Sequence, residues 1–556
     1  MTARPSSMID LDRISVAEVE ILVLGGGLAG TRAAVAAREA GAIVGHAFLA
    51  RGASPYVIGA NVPLGAVDAR DRPEQYITDM LEGGYHLSDR RLLKALAENS
   101  VASFQDLVRI GVPFAKDDNG YLQRHLSGNA FPRSVYVPQG VGKVILEHLM
   151  RKAEEIGVLS WSGYRVVALL QNEGAVVGAL MVDRRSGDVL AVHAGSVVLA
   201  MGGIGQLYND STYPTDVAAD AYALAIEAGA TLIDMEFVQF EPVVTVDPDG
   251  CRGMEMPTAM LGDGAQLLNA QGERFMFRYN PEHGEKKIEK ARMSLCIQQE
   301  IDEGRGLEGG TVLFDTTTVP VDKLESYVSH CKRLRASGLE PRERGPLVRP
   351  AAHSEMGGVS IDPDGQTGVA GLYAAGEASG GIHGASRLAG NGGGETMAMG
   401  WLVGHAAARN RKKPDAADWS AVHAAALKRF LPAQGNPSQI SPDQIKQDIR
   451  ATMSESAGLY RTADGLDAGL KRISLSAEQA AKLPATTLEE ALQARSCRNM
   501  ALTARMILEA ALARTESRGA HQRRDFPARD DTHWLKHISF QRTTSGAVEM
   551  DETQLQ

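Results

Sequence analysis

A short, mainly apolar run that closes on three glycines sets the strongest limit on what this chain can fold into. Residues 19–24, VEILVL, predict a buried strand because they are apolar, short and ended by glycine. Gly25-Gly26-Gly27-Leu28-Ala29-Gly30 follows, then TRAAVAAREAGA, an alanine-rich helical stretch closed by Gly41. The next stretch, AIVGHAFLA, predicts a second strand. Strand, glycine turn, helix and strand in that order point to a doubly wound parallel sheet. In such a GxGxxG turn Gly25 permits the bend, Gly27 lets the backbone approach a pyrophosphate, and Gly30 lets the helix pack on the strand. The start of the helix adds free N–H groups and a partial positive charge. A glycine turn that serves packing alone is the other reading, and the strand before it and helix after it favour a dinucleotide. An acidic residue about 20 positions on usually binds the ribose of NAD. Here the second strand ends GHAFLARG, with no acid, which argues against an ordinary NAD site.

The chain has 556 residues, enough for two to four domains. Residues 1–18 are polar and read as an arm. Helical patterns cover 85–110, 139–157 and about 216–229, and strands lie within 163–201. Residues 242–350 are richer in turns and charge and read as an insertion. Glycine-rich apolar sequence returns at 353–405, and from about 415 the pattern is helical, most clearly at 487–515. The stretch RRDFPARDDTHWLKH reads as a charged tail. Net charge is −10, which gives no electrostatic case for nucleic acid or an anionic membrane. Cys251, Cys296, Cys331 and Cys497 are scattered, without the spacing of a zinc or iron–sulfur site, so no metal is expected. There is no apolar run of membrane-spanning length and no signal-peptide pattern. A cytoplasmic protein is expected, with peripheral attachment through a partner left open.

The segment GLYAAGEASGGIHGASRLAGNGGGETMAMG (371–400) resembles the second FAD-contact region of the succinate dehydrogenase, fumarate reductase and L-aspartate oxidase flavoproteins. Further matches run in family order. HSEMGGV (353–359), VVLAMGG (197–203), DMEFVQFEP (234–242), LLNAQGERFM (267–276), DEGRG (302–306) and ESRGAHQRRDFPARDDTHWLKH (516–537) each resemble a family motif. The resemblance implies an α/β fold: a Rossmann-like FAD-binding domain with an inserted α+β capping domain and a C-terminal helical domain. The corresponding ranges are 1–241 with 351–412, then 242–350, then 413–556.

By the same resemblance FAD lies extended, with Gly25, Gly27, Leu28, Ala29 and Gly30 at the pyrophosphate. Some members end the second strand in Ser-Lys rather than an acid, and Ala50-Arg51 takes that place. Ser54, Gly202, Gly203, Asp220, Gly376, Glu377, Arg387, Asn391 and Gly392 complete the expected cofactor contacts, Glu377 as a hydrogen-bond partner of the FAD backbone. For Glu377 and Asp220 a solvated or capping carboxylate is the plainer alternative. Much of the family bonds FAD covalently through the histidine of an S-H-T segment. Here that stretch reads Ser54-Pro55-Tyr56, so non-covalent FAD is expected.

Family chemistry is hydride transfer at flavin N5 with a proton moved on the neighbouring carbon. His353 and Arg387 are retained and are expected to hold a substrate carboxylate. Other positions depart. The family histidine of QFHP is Glu241, the substrate-polarising glutamate falls on Thr258, the proton-shuttling arginine on Leu261, and the R-D pair of the next helix reads KARMSL. Succinate and fumarate are therefore poor candidates. A small acid with one carboxylate, and an amine or hydroxyl facing Glu241, fits better, with Glu241 and Thr258 in the reacting site. A salt-bridged role unrelated to substrate is an equal alternative for Glu241. Electrons would go to or from an iron–sulfur or other carrier subunit. An oxidase of the L-aspartate oxidase kind, and a flavin-binding subunit that has lost catalysis, are the competing readings.

Overall fold

The computed structural model describes residues 14–555 apart from 139, 216, 417 and 432–439. Most of the expected polar arm, 1–13, lies outside the described residues. Along the chain run β1 (Ser15–Leu24), α1 (Leu28–Glu39), β2 (Val44–Phe48), β3 (Leu159–Ser162), β4 (Tyr164–Asn172), β5 (Ala175–Asp183), β6 (Val189–Leu199), α2 (Asp220–Ala228), β7 (Val238–Asp247), α3 (Lys290–Glu300), β8 (Leu347–Glu355), β9 (Leu372–Ala374), α4 (Asn391–Arg409) and α5 (Leu488–Ala513). β1 starts at Ser15 rather than Val19. Its first residues pair with Leu190–Ala194 of β6, but their side chains are mostly exposed and so carry no apolar signal.

The main sheet has the order β3-β2-β1-β6-β5-β4, and β9 also pairs with β6. β1, β2, β3, β6 and β9 are parallel, while β5 runs antiparallel to β6 and β4. Leu24 of β1 sits opposite Leu199 of β6, and Leu199 sits opposite Ala374 of β9. Three parallel strands therefore end level, and the loops that follow them open on one edge, where doubly wound sheets place their ligands.

The first of those loops is held by close backbone approach. Gly25 has φ +122°, and a Cβ there would lie 2.0 Å from the Ala200 carbonyl oxygen. A Cβ at Gly30 would lie 2.1 Å from the Gly25 carbonyl oxygen. His46 of β2, buried behind the turn, has Nε2 2.8 Å from the Gly25 oxygen. α4 packs along α1 through small residues: a Cβ at Gly404 would meet the Ala33 oxygen at 2.4 Å.

The chain leaves the sheet along β7 and returns along β8. These strands pair antiparallel, with Glu241 opposite Ala351, and extend through Val312–Asp315 to Gln266–Leu268 as a four-stranded sheet. Residues between Val243 and Val348 bury an apolar cluster of their own, including Phe275 and Phe314.

α5 begins with a capping box formed by Thr487 and Glu490. The sequence beyond it packs into the fold rather than forming a tail, with one short helix at Asp531–Trp534. Arg514, Arg518, Arg461 and Arg523 are fully buried. Arg514 Nε lies 2.5 Å from Glu236, Arg518 Nε lies 2.6 Å from Glu516, and His537 Nδ1 lies 2.6 Å from Asp234. The charged residues that suggested a solvated tail pair with one another and with the 234–242 motif. Lys536–Arg542 and Val548–Gln554 then form a hairpin beside Leu232–Ile233.

These buried contacts can be tested by substitution. Arg514→Met strands the buried Glu236 carboxylate, and loss of one partner of a buried pair costs about 3–5 kcal/mol. Thermal denaturation should show a clearly lower Tm, with a smaller loss for Glu236→Gln, which keeps a hydrogen-bonding group. A second expectation concerns acid. Burial, opposed by the hydrogen bond to Gly25, pushes the His46 imidazole down to about 4. Its contribution is complete above the ordinary histidine pKa and is lost as pH falls through about 4, roughly 3 kcal/mol in all. His46→Gln should flatten the acid limb of a Tm-versus-pH curve; an unchanged limb would refute the assignment.

Candidate active site

The level ends of β1, β6 and β9 gather most of the expected cofactor residues. At the start of α1 the Leu28 N–H donates to Ser54 Oγ at 2.8 Å, and a Cβ at Gly27 would lie 2.8 Å from that oxygen. Ala29 touches the second loop through Gly376, whose added Cβ would lie 2.7 Å from the Ala29 Cβ. A Cβ on Gly203 would lie 2.7 Å from the Glu377 carboxyl carbon. Arg51 is exposed at the end of the turn that follows β2.

Glu377 is deeply placed. One oxygen accepts from the Tyr213 hydroxyl and from the Glu355 backbone N–H (2.8 Å). Its other oxygen has no hydrogen bond among the described residues. Burial raises its pKa, opposed by Tyr213, His353 and Arg387. Glu395 of α4 is buried with Oε1 lacking any partner, and burial, with Glu377, pushes it up to about 8. Asn391 Oδ1 accepts from Asn61 Nδ2 (2.5 Å) and from the Tyr76 hydroxyl (3.0 Å), which anchors the start of α4. A Cβ at Gly392 would lie 3.3 Å from Arg387 Nη1. The orphaned buried Glu395 Oε1, beside a cradle that no Cβ could enter, fits an extended dinucleotide.

Asp220 stands at the start of α2. Its carboxylate accepts from Arg165 (3.0 Å) and from Asn499 (2.6 Å), joining α2 to β4 and α5. Those partners satisfy it as a structural acid.

The residues expected to react lie where β7 and β8 cross from sheet to cap. His353 Nδ1 on β8 is 3.0 Å from Thr212 Oγ1 and 3.3 Å from Glu255. Glu241 on β7 is buried, with Lys290 of α3 2.5 Å from it. Its salt-bridged reading is thus the one its contacts display. Donor atoms of Glu241, Glu255 and His353 lie within 4.8 Å of one another. Burial works to raise the Glu255 pKa, but His353, then Lys290 and Arg387, hold it down to about 2, so it is ionised at neutral pH. Arg387 stands in that field without an acid of its own. Its Nε is buried and unpartnered, and none of its side-chain nitrogens bonds to a described residue. Beside it the His383 imidazole is pushed down to about 3 by burial and then by Arg387, so it is neutral.

Leu261, where the resemblance places an arginine, packs in the cap's apolar cluster, and Thr258 starts the short helix Thr258–Gly262, three residues beyond Glu255. Sequence reading missed Glu255 and Lys290. The signal for Lys290 is its place as the first residue of KARMSL, a cation in a stretch otherwise marked by its lost arginine.

A family model described as an FAD binding domain matches residues 20–392, and one described as the fumarate reductase flavoprotein C-terminal region matches 446–556. The CoM/CoB fumarate reductase of Methanothermobacter marburgensis has a chain 33% identical to this one, over 92% of this chain and 95% of its own. The L-aspartate oxidase of Caulobacter vibrioides is 32% identical over 92% of this chain and 94% of its own. Among solved structures, the FrdA chain of Escherichia coli quinol fumarate reductase superposes with TM-score 0.89 at 24% identity, covering 98% of this chain and 97% of that one, which establishes likeness of fold. With the glycine cradle, the acid-lined edge and these matches together, the chain belongs to the succinate dehydrogenase/fumarate reductase flavoprotein family and is an FAD-dependent oxidoreductase.

Proposed function

We propose that this chain moves a hydride between flavin N5 and a carbon of a small carboxylate-bearing organic acid, and that succinate and fumarate are not that acid. The observation that carries the reading is Arg387: a guanidinium at the cofactor edge with a buried Nε and no acid partner. A planar cation without a partner in such a place suits a carboxylate, which it can bind bidentately. His353 offers a second contact, positioned by Thr212. Bound FAD supplies two-electron chemistry at N5. The protein's own part is to hold the acid, to orient it through Arg387 and His353, and to exclude water with the cap. The C4 dicarboxylates are disfavoured because Leu261 packs in the apolar interior of the cap and Thr258 bonds to nothing in the cleft. No described cation replaces the arginine expected at Leu261.

The ionised Glu255 gives one reason to keep an amino-acid oxidase as the second reading, since an ammonium could face it. A flavin protein without catalysis has less support, because the buried, unpartnered Nε of Arg387 costs stability that a bound ligand would offset. We also propose that FAD is held without a covalent bond, because Pro55 stands where the bonding histidine would be. A separate electron carrier fits relatives named as subunits of fumarate reductases. No helix among the described residues is long and apolar enough to cross a membrane.

Acid precipitation should leave all yellow colour in the supernatant; colour in the pellet would refute non-covalent binding. A screen of small mono- and dicarboxylates against the oxidised and the reduced flavin, under anaerobic conditions, should find an acid that bleaches or reoxidises it. For that acid Arg387→Met should lower kcat/KM roughly 100-fold or more, the worth of a charge-assisted pair of hydrogen bonds. Peroxide formed in step with substrate loss in air would favour the oxidase.

A further inference from the structure

The charges around the cleft are paired unevenly. Lys290 lies 2.5 Å from Glu241, whose side chain is 3% exposed. His353 lies 3.3 Å from Glu255, whose side chain keeps 31% of its surface accessible. Arg387 has no acid at bonding distance. Three basic groups thus meet two acids, and one cation is left over. We infer that the cleft is a single-anion site, in which Arg387 seats one carboxylate and Glu255 turns away a second. This deepens the reading above and rests on the carboxylate seat at Arg387.

Glu255 is placed for that task in three ways. It comes from the cap, beside Val244 of β7, through an isolated bridge between those two residues. Arg387, by contrast, comes from the loop before α4, so the two approach the cleft from different parts of the molecule. It is ionised at neutral pH, held so by His353, Lys290 and Arg387. Although His353 lies beside it, its side chain retains accessible surface and can face whatever enters. Glu241 differs on the last point: it is buried and its oxygen is taken by Lys290. The repulsion expected of Glu241 therefore belongs to Glu255. Lys290 is equally unavailable to a second carboxylate, because binding it would strand the buried Glu241. A ligand with one carboxylate and a neutral or cationic far end meets none of these costs.

The test uses the FAD-loaded protein and the absorbance of the oxidised flavin at pH 7, titrated with pyruvate and with malonate. Wild-type protein should respond to pyruvate at concentrations about 10-fold or more below those needed for malonate, the ratio that a like-charge contact of about 1.4 kcal/mol produces. Glu255→Gln should bring malonate level with pyruvate while moving pyruvate about 3-fold or less. Glu255→Asp, which keeps the charge, should keep the discrimination. Flavin content and Tm of each variant establish that it is folded, and the aspartate variant carries the comparison if the glutamine one is not. Equal affinities in wild type, or an unchanged ratio in Glu255→Gln, would overturn the inference and leave the carboxylate seat standing. If neither anion perturbs the flavin in any form, the Arg387 reading falls and the inference with it.

Discussion

The level endings of three parallel strands govern everything built around them. Because Leu24, Leu199 and Ala374 share one register, the loops after β1, β6 and β9 begin side by side. Backbones can then approach within distances that no side chain would survive, as Gly25 does against Ala200. A sheet shifted by one residue would turn every side chain of the strand to the other face and would separate Gly203 from Glu377. The helix starts, orphaned oxygens and cleft charges all hang from that alignment.

Within the cleft, charge is settled by pairing. Glu241 and Glu255 each have a basic partner, and the acids at the cofactor edge, Glu377 and Glu395, are shifted toward their neutral forms by burial. The relatives show that this family hosts both reductases and oxidases at similar identity. Fold and lineage therefore say which cofactor is used, and local charge must say which substrate enters.

Much of the architecture was legible in the sequence because its signals are local. The glycine turn is fixed by steric needs a few residues apart. β5 announces itself by an apolar run that matches its observed span, and α5 by its capping threonine and the glutamate three residues on. The cofactor motifs were legible for the same reason. What could not be read was pairing between distant residues. Nothing in RRDFPARDDTHWLKH says that its His537 meets Asp234 far back in the chain, so part of the packed structure looked like a charged tail. Asp220 looked like a ligand residue because its partners, Arg165 and Asn499, lie in other parts of the chain. Lys290 passed unremarked because its partner, Glu241, lies 49 residues away in the chain.

The buried contact between Glu236 and Arg514 has a consequence for how the protein is made. The acid precedes its partner by 278 residues, so it emerges from the ribosome well before the arginine does. Until residues 514–537 are available, the 234–242 segment holds charges that it cannot bury alone. The walls of the cleft continue from that segment, so a chain that stops short of residue 514 lacks the cation that the buried Glu236 requires.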